Sequence, residues 1–184
     1  DARHIEVQIL GDGQSCIHLF ERDCSFQRNF QKFIEFAPAP NLKFQTKEKL
    51  YKYAVTLCKS VGYKGLGTVE FLIDKNEKIY FMEVNPRVQV EHTITEELTG
   101  IDLIRSQINV FCGLSIQDQN LTEVNIIGKR ASIQARLNME SYDKKIQLVP
   151  ATGTIKEYDI ASGPGIRVDG AGRVGFKNDG LYDS

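Results

Sequence analysis

Between Glu83 and Glu91 every second residue is polar: Glu83, Asn85, Arg87, Gln89 and Glu91 alternate with Val84, Pro86, Val88 and Val90. Successive side chains of an extended chain point to opposite faces. This spacing predicts one face bearing two carboxylates, two amides and a guanidinium, and an apolar face behind it. A merely solvated strand face draws more on Thr, Ser and Lys. Carboxylates and amides framing a guanidinium suit a cation and an anion held side by side, which marks the stretch as a candidate site.

The segments before it extend the pattern. If Asn76 and Glu77 form a two-residue loop between strands at 68–74 and 78–85, Glu70 lies directly opposite Glu83 on the same face. Carboxylates paired in this way, with Cβ atoms about 5 Å apart, repel each other. One must take up a proton, or a cation must sit between them. Mg²⁺ or Mn²⁺ takes oxygen ligands and keeps phosphate oxygens in its shell, and Asn85 offers a third oxygen. Glu70, Glu83 and Asn85 are therefore the expected metal site; the plain alternative is two glutamates wetted at a sheet edge. Arg87 can grip an oxyanion with its planar fork, and Glu91 beside it can act as a base. An ordinary Arg87–Glu91 surface ion pair is the alternative there. Pro86 removes a ladder hydrogen bond, so the stretch is an edge strand or one running out into a loop. Arg136 alternates within Gln134-Ala135-Arg136-Leu137-Asn138, as solvated strand arginines often do. Lys32, between a polar segment and an apolar strand, suits a phosphate ligand or a snorkelling surface lysine equally well.

Strands and turns have to position these groups. Residues 4–10 alternate as a half-buried strand, 11–14 read as a turn, and 16–20 return as its hairpin partner. A polar segment at 21–31 leads into a strand at 32–36. Residues 46–61 read as a helix, with Leu50, Tyr53, Ala54, Leu57, Cys58 and Val61 forming one buried stripe, Thr46 as its cap and Gly62 as its stop. A second helix spans 102–111, capped by Asp102 and ended by Gly113. The last third turns strand-like at 130–138 and weakly at 153–158, with a turn at 162–165. The expected class is α+β, built on an antiparallel sheet. Gly170-Ala171-Gly172-Arg173-Val174-Gly175 matches a dinucleotide fingerprint, but no helix signal follows it, so these read as turn glycines. His4, His18 and His92 are too scattered for a zinc site, and no serine sits in a nucleophile elbow.

The chain has 184 residues, 41% hydrophobic and 26% charged, and a net charge of −1. That balance argues against nucleic acid or an anionic membrane as a bulk partner. No apolar run approaches a membrane span and no signal peptide opens the chain. Cys16, Cys24, Cys58 and Cys112 are widely spaced, as reduced thiols of an intracellular protein would be. The missing initiator Met and the abrupt ending suggest a piece of a longer protein.

Several of these segments resemble one family. Glu21-Arg22-Asp23-Cys24-Ser25-Phe26-Gln27-Arg28 through Lys32, Ala37-Pro38-Ala39-Pro40, Gly67-Thr68-Val69-Glu70-Phe71 and the run from Glu83 to His92 are similar to biotin carboxylase subunits and domains of biotin-dependent carboxylases, members of the ATP-grasp superfamily. The resemblance runs from Arg3 to Tyr182-Asp183-Ser184. It implies the C-terminal half of an ATP-grasp domain at 1–122 and the truncated start of the biotin carboxylase C-terminal domain at 123–184. It also implies the chemistry: ATP phosphorylates bicarbonate to carboxyphosphate, and the carboxyl group passes to biotin on a separate carrier domain. Glu70, Glu83 and Asn85 then hold Mg²⁺ or Mn²⁺ on the ATP phosphates. Arg87, Gln89 and the backbone of Val90 bind bicarbonate, and Glu91 is the base. Arg136 stabilises the biotin enolate, Lys32 sits by the phosphoryl and bicarbonate groups, and His4 and Gln27 line the nucleotide site.

Three departures accompany the resemblance. Phe30 stands where the family usually has a histidine near the ATP phosphates, and Gln134 where a glutamate is expected. The glycine-rich lid and nucleotide lysines lie upstream of Asp1, so the piece alone is expected to be inactive. Met82 and Met139 are each followed by Glu, so no biotinylation motif occurs. The implied partners are a biotin carboxyl carrier domain, a carboxyltransferase and a second copy of the parent enzyme, in the cytoplasm or the mitochondrial matrix, with no nucleic acid and no membrane. Pro86 and Thr93-Ile94-Thr95-Glu96-Glu97 resemble pyruvate carboxylase, whereas Gln134-Ala135-Arg136 and Ser162-Gly163-Pro164-Gly165 resemble acyl-CoA or urea carboxylases. Two rival readings stand beside this one: an ATP-grasp ligase of the carbamoyl phosphate synthetase type, and a degenerate, non-catalytic copy.

Overall fold

The structure is a computed structural model and describes residues 2–122 and 130–180. The expected domain boundary at 123 and the terminal Tyr182-Asp183-Ser184 lie outside the described residues. The chain forms two compact units, Asp1–Arg136 and Leu137–Ser184.

Among the described residues of the first unit, six strands make one antiparallel sheet. They are β1 (Ala2–Asp12), β2 (Cys16–Arg28), β3 (Gln31–Ala37), β4 (Lys64–Asp74), β5 (Ile79–Asn85) and β6 (Ser132–Ala135). Their order across the sheet is β5-β4-β1-β2-β3-β6. Three helices join them: α1 (Phe44–Ser60), α2 (His92–Thr99) and α3 (Leu103–Phe111). The first unit takes in β6 because Ile34, Glu35, Phe36 and Ala37 of β3 pair with Ala135, Gln134, Ile133 and Ser132.

The two faces of β1 explain the layering. Ile5, Val7 and Ile9 point to α1, where Leu50, Tyr51, Ala54 and Cys58 meet them together with Val69, Phe71 and Ile73 of β4. Each aliphatic side chain fully buried in this way stabilises the fold by about 1.5–3 kcal/mol. Leu10 and Leu66, on the other face, pack with Leu103 and Val110 of α3. Ile94 and Leu98 of α2 pack against Ala37 at the end of β3. The strand expected at 4–10 is thus covered on both sides: Glu6 and Gln8 are as buried as Ile5 and Val7.

The helices differ in detail from the sequence pattern. The stripe of α1 runs through Thr46, Leu50, Tyr51, Ala54 and Cys58, while Tyr53, Leu57 and Val61 are exposed. Thr46 lies inside the helix and gives its hydroxyl to the carboxylate of Glu77, so it is no cap. Gly62, at φ +58, does end the helix. Asp102 caps α3 as expected, accepting from the Arg105 N–H at 2.8 Å, with Gly113 beyond its end. Helix α2 had no counterpart in the sequence reading, although Ile94, Thr95 and Leu98 have helical spacing and Gly100 at φ +74 closes it.

The second unit pairs β7 (Glu140–Tyr142) with β8 (Leu148–Pro150), and β9 (Gly153–Thr154) with β10 (Lys177–Asn178). Gly170 to Gly175 open no helix; β10 follows instead, in keeping with turn glycines.

Candidate active site

The β4–β5 hairpin reaches the expected pairing by an unexpected route. Its loop has three residues, 75–77, and Asp74 N–H donates to Lys78 O at 3.1 Å. Glu77 adopts φ +61 at the end of that loop, so the two-residue Asn76-Glu77 turn does not form. Ile73 therefore pairs with Ile79 and Phe71 with Phe81, one step out of the predicted register. A bulge then absorbs Met82, and Glu70 faces Glu83 after all. Longer loop and bulge cancel.

That pairing is one rung of a polar row across the sheet. Glu83 faces Glu70, Glu70 faces Glu6, and Glu6 faces Arg22. Arg22 is fully buried. Its Nε donates to Glu6 Oε1 at 2.6 Å, and its Nη1 to Gln8 Oε1 at 2.7 Å and Thr95 Oγ1 at 2.8 Å. The Lys32 ammonium sits over the row, donating to Glu6 Oε2 at 2.5 Å, Glu91 Oε1 at 2.6 Å and Glu70 Oε1 at 2.9 Å. The Lys32 ammonium is thus turned in among three carboxylates instead of snorkelling out to solvent.

The strand itself stops at Asn85, and residues 86–91 form an irregular turn before α2. The single polar strand face predicted from Glu83 to Glu91 is corrected to this extent. Pro86 marks the exit, as its missing N–H requires. The turn still returns Gln89 and Glu91 to the row. Gln89 Nε2 donates to Glu70 Oε1 at 3.1 Å. Glu91 is buried and also accepts from Arg136 Nη2 at 2.9 Å. The Arg87 side chain is exposed and its Nη1 donates to Val88 O at 3.1 Å, and Val90 is exposed beside it. Glu91 pairs with Lys32 and Arg136, so the ordinary Arg87–Glu91 pair does not describe it.

His4 and Gln27 join at the open end. Gln27 Nε2 lies 2.7 Å from His4 Nδ1, and His4 Nε2 lies 2.5 Å from Glu70 Oε2. With the amide donating to Nδ1, the imidazole proton sits on Nε2 and points at the carboxylate. Asn85 Nδ2 donates to both Glu70 Oε1 and Glu83 Oε1, at 3.0 and 3.1 Å, and so holds the two carboxylates around one amide. Glu83 is exposed, leaving that end open to an incoming ion. Two carboxylates and an amide are the residue types a hard divalent cation takes, with the Asn85 side chain turned to offer its oxygen in place of Nδ2.

The charges set one another's protonation. Burial would push the Glu70 carboxyl up, but hydrogen bonds from His4 and the Lys32 charge bring it down to about 2. Burial likewise opposes ionisation of Glu91, and Lys32 and then Arg22 outweigh it, keeping the group below its ordinary value. Burial also opposes the charge on Lys32, but Glu6 and Glu91 override it and raise its pKa. Glu35 goes the other way: burial raises its carboxyl despite Arg136.

Glu6, Gln8, Arg22, Glu35 and Thr95 were not identified as site residues from the sequence. Glu6 and Gln8 carry the same alternation that a wet strand face would, so pattern alone gives no sign that Arg22 and Lys32 close over them. Phe30 is 98% exposed at φ +64, in a tight Asn29-Phe30 turn joining β2 to β3. Gln134, opposite Glu35, accepts from Thr93 Oγ1 at 2.7 Å.

Fold and site together define an ATP-grasp domain of the biotin carboxylase kind, since solved structures of that kind match it over its whole length. The chain belongs to the family described as the carbamoyl-phosphate synthase L chain, ATP binding domain, whose model matches residues 1–119. It is 49% identical over 170 residues to mitochondrial pyruvate carboxylase of Rattus norvegicus, an alignment covering 92% of this chain and 14% of that protein. A single-chain, multi-domain long-chain acyl-CoA carboxylase superposes with a TM-score of 0.92 at 42% identity, covering 100% of this chain and 20% of the other. The biotin carboxylase domain dimer of Hydrogenobacter thermophilus 2-oxoglutarate carboxylase, solved with MgADP, ADP and bicarbonate, gives 0.86 at 39% identity, covering 100% of this chain and 40% of the other. The chain thus spans 14–16% of the length of the curated relatives it matches.

Proposed function

We propose that this chain is part of a biotin carboxylase, in which ATP and bicarbonate carboxylate a carrier-bound biotin by way of carboxyphosphate. The observation that carries the proposal is Lys32, whose ammonium bridges Glu70 at the cation end of the row and Glu91 at the anion end. Such a bridge places a phosphate-binding charge between a metal carboxylate and a base, as phosphorylation of bicarbonate requires. The relatives and the solved structures, all carboxylases by name, support it.

In this reading Glu70, Glu83 and Asn85 hold Mg²⁺ or Mn²⁺, which when bound offsets negative charge on the nucleotide phosphates. His4 and Gln27 fix the outer edge of Glu70, with the nucleotide beside them. Arg87, Gln89 and the Val90 N–H orient bicarbonate. Glu91 takes its proton, a bicarbonate oxygen forms a bond to the γ-phosphorus, and the bond from that phosphorus to ADP breaks. Glu91 is a weak base while Lys32 and Arg136 both hold it; a phosphate group that draws Lys32 away raises its basicity at the moment it is needed. Arg136 faces negative charge developing on the acceptor.

Residues 1–122 are then the C-terminal part of the ATP-grasp domain, with 123–184 opening the next domain. The nucleotide cleft is completed by parts of a longer protein, and the chain alone does not turn over. The carrier domain and the carboxyltransferase belong to the same protein or complex, in cytoplasm or mitochondrial matrix, as a homo-oligomer. Among the described residues no helix is long and apolar enough to cross a membrane. A second reading, a ligase of the carbamoyl phosphate synthetase type, is favoured by the description of the matching family. ADP release by the intact protein separates the two. Release that needs bicarbonate, rises with free biotin and disappears in Glu91→Gln supports the carboxylase; release indifferent to biotin rejects it.

A further inference from the structure

Glu35 lies within β3, fully shielded from solvent. Its Oε1 accepts from Arg136 Nε at 2.9 Å. Its Oε2 is buried without a hydrogen-bond partner among the described residues. A guanidinium usually meets a carboxylate with two parallel N–H···O bonds, but here Arg136 turns Nη2 away to Glu91 Oε2, at 2.9 Å. Buried carboxylate oxygens left without a donor are uncommon because they give up water and receive nothing in exchange. The free oxygen of Glu35 is therefore a second seat for Arg136 Nη2, next to the one Glu91 supplies.

We propose that Glu35 is the positioning residue of Arg136: it anchors Nε throughout, and its free Oε2 receives Nη2 whenever Glu91 lets go. Arg136 then pivots about its Nε bond between two carboxylates, without leaving the site. The surroundings suit such a pivot. Arg136 N–H is tied to Phe33 O at 3.0 Å, which fixes the backbone beneath the side chain. Gln134, the cross-strand neighbour of Glu35, adds no second negative charge and is held by Thr93. This inference rests on the biotin carboxylase reading, because it assigns Glu35 to the carboxyl-transfer half-reaction through Arg136.

The test uses the intact protein that carries this chain, with Glu35→Gln and Glu35→Ala, free biotin as acceptor, and ADP release measured with and without biotin. Glutamine keeps a carbonyl for Nε but replaces the free oxygen with an N–H₂ that repels Nη2. Glu35→Gln is therefore expected to leave KM for biotin near the wild-type value and to lower the biotin-dependent kcat about tenfold. Glu35→Ala loses the anchor as well, so KM for biotin rises about tenfold in addition. In both variants the biotin-dependent reaction falls much further than the biotin-independent one. A kcat unchanged in Glu35→Gln, or an equal fall in both reactions, overturns the assignment. A wild-type protein that ignores biotin overturns the carboxylase reading and this inference with it; a biotin-responsive wild type with unaltered Glu35 variants overturns this inference alone.

Discussion

At the scale of residues, the site is a problem in charge balance that Lys32 and Arg22 solve from two sides. Glu6 is fully buried and is held by both cations. Arg22→Ala leaves that carboxylate with one partner fewer and strands Gln8 and Thr95; breaking a buried pair in this way typically destabilises by about 3–5 kcal/mol. Chemical denaturation should show a loss of that size, and a loss under 1 kcal/mol would mean Lys32 alone suffices. Acid should act chiefly through Glu70. Its folded pKa of about 2 lies below the ordinary 4.5, so its contribution is complete above pH 4.5 and is lost as pH falls from there towards 2. In Glu70→Gln the decline of stability across that window should be shallower than in wild type; an unchanged slope would remove Glu70 from the cause. Glu83, Asn85 and Glu91 stood out in the sequence by residue type and spacing, on the edge strand β5 and the turn after it, and Glu70, buried on β4, was legible only through its pairing with Glu83. The sequence concealed Glu6, Arg22 and Glu35, because a buried polar residue on a strand has the same alternation as a wet one.

At the scale of elements, hairpins bring the row together and glycines let them close. Gly11 of β1 lies so close to the Tyr63 carbonyl that an added Cβ would come within 2.2 Å of its oxygen. That neighbour is backbone, which cannot swing away. Gly11→Ala should therefore lower the thermal midpoint, at a loss of about 1–3 kcal/mol, and a variant as stable as wild type would contradict the packing of β1 against residue 63. Asp102→Ala removes the cap of α3, and a loss of about 1 kcal/mol is expected in the same measurement. The antiparallel hairpins, α1 and α3 were legible from alternation, helical stripes and capping residues. The bulge at Met82 was not, since an extra residue in one strand leaves no mark on the pattern when a longer loop offsets it. Helix α2 is short and follows a polar turn, and two of its four buried positions are threonines, so its stripe did not stand out.

At the scale of the whole molecule, the row has two ends joined by Lys32, which reaches Glu70 and Glu91: an open end where Glu70 meets Glu83 and Asn85, and a buried end at Glu91, the proposed base. That layout suits an enzyme that must hold a nucleotide phosphate and a small oxyanion in contact, and it fits the carboxylases this chain resembles. In the proposed reading the remaining nucleotide contacts come from other parts of a longer protein, so the decisive measurement is made on the intact protein that carries this chain. Bicarbonate labelled with oxygen-18 is supplied with Mg²⁺ and ATP, and the phosphate released is examined for label. If bicarbonate attacks the γ-phosphorus as proposed, its attacking oxygen stays on that phosphorus and one labelled oxygen appears in each phosphate, and Glu91→Gln abolishes its formation. Phosphate carrying no label from bicarbonate would mean that water is the nucleophile, and the account of this site would be wrong.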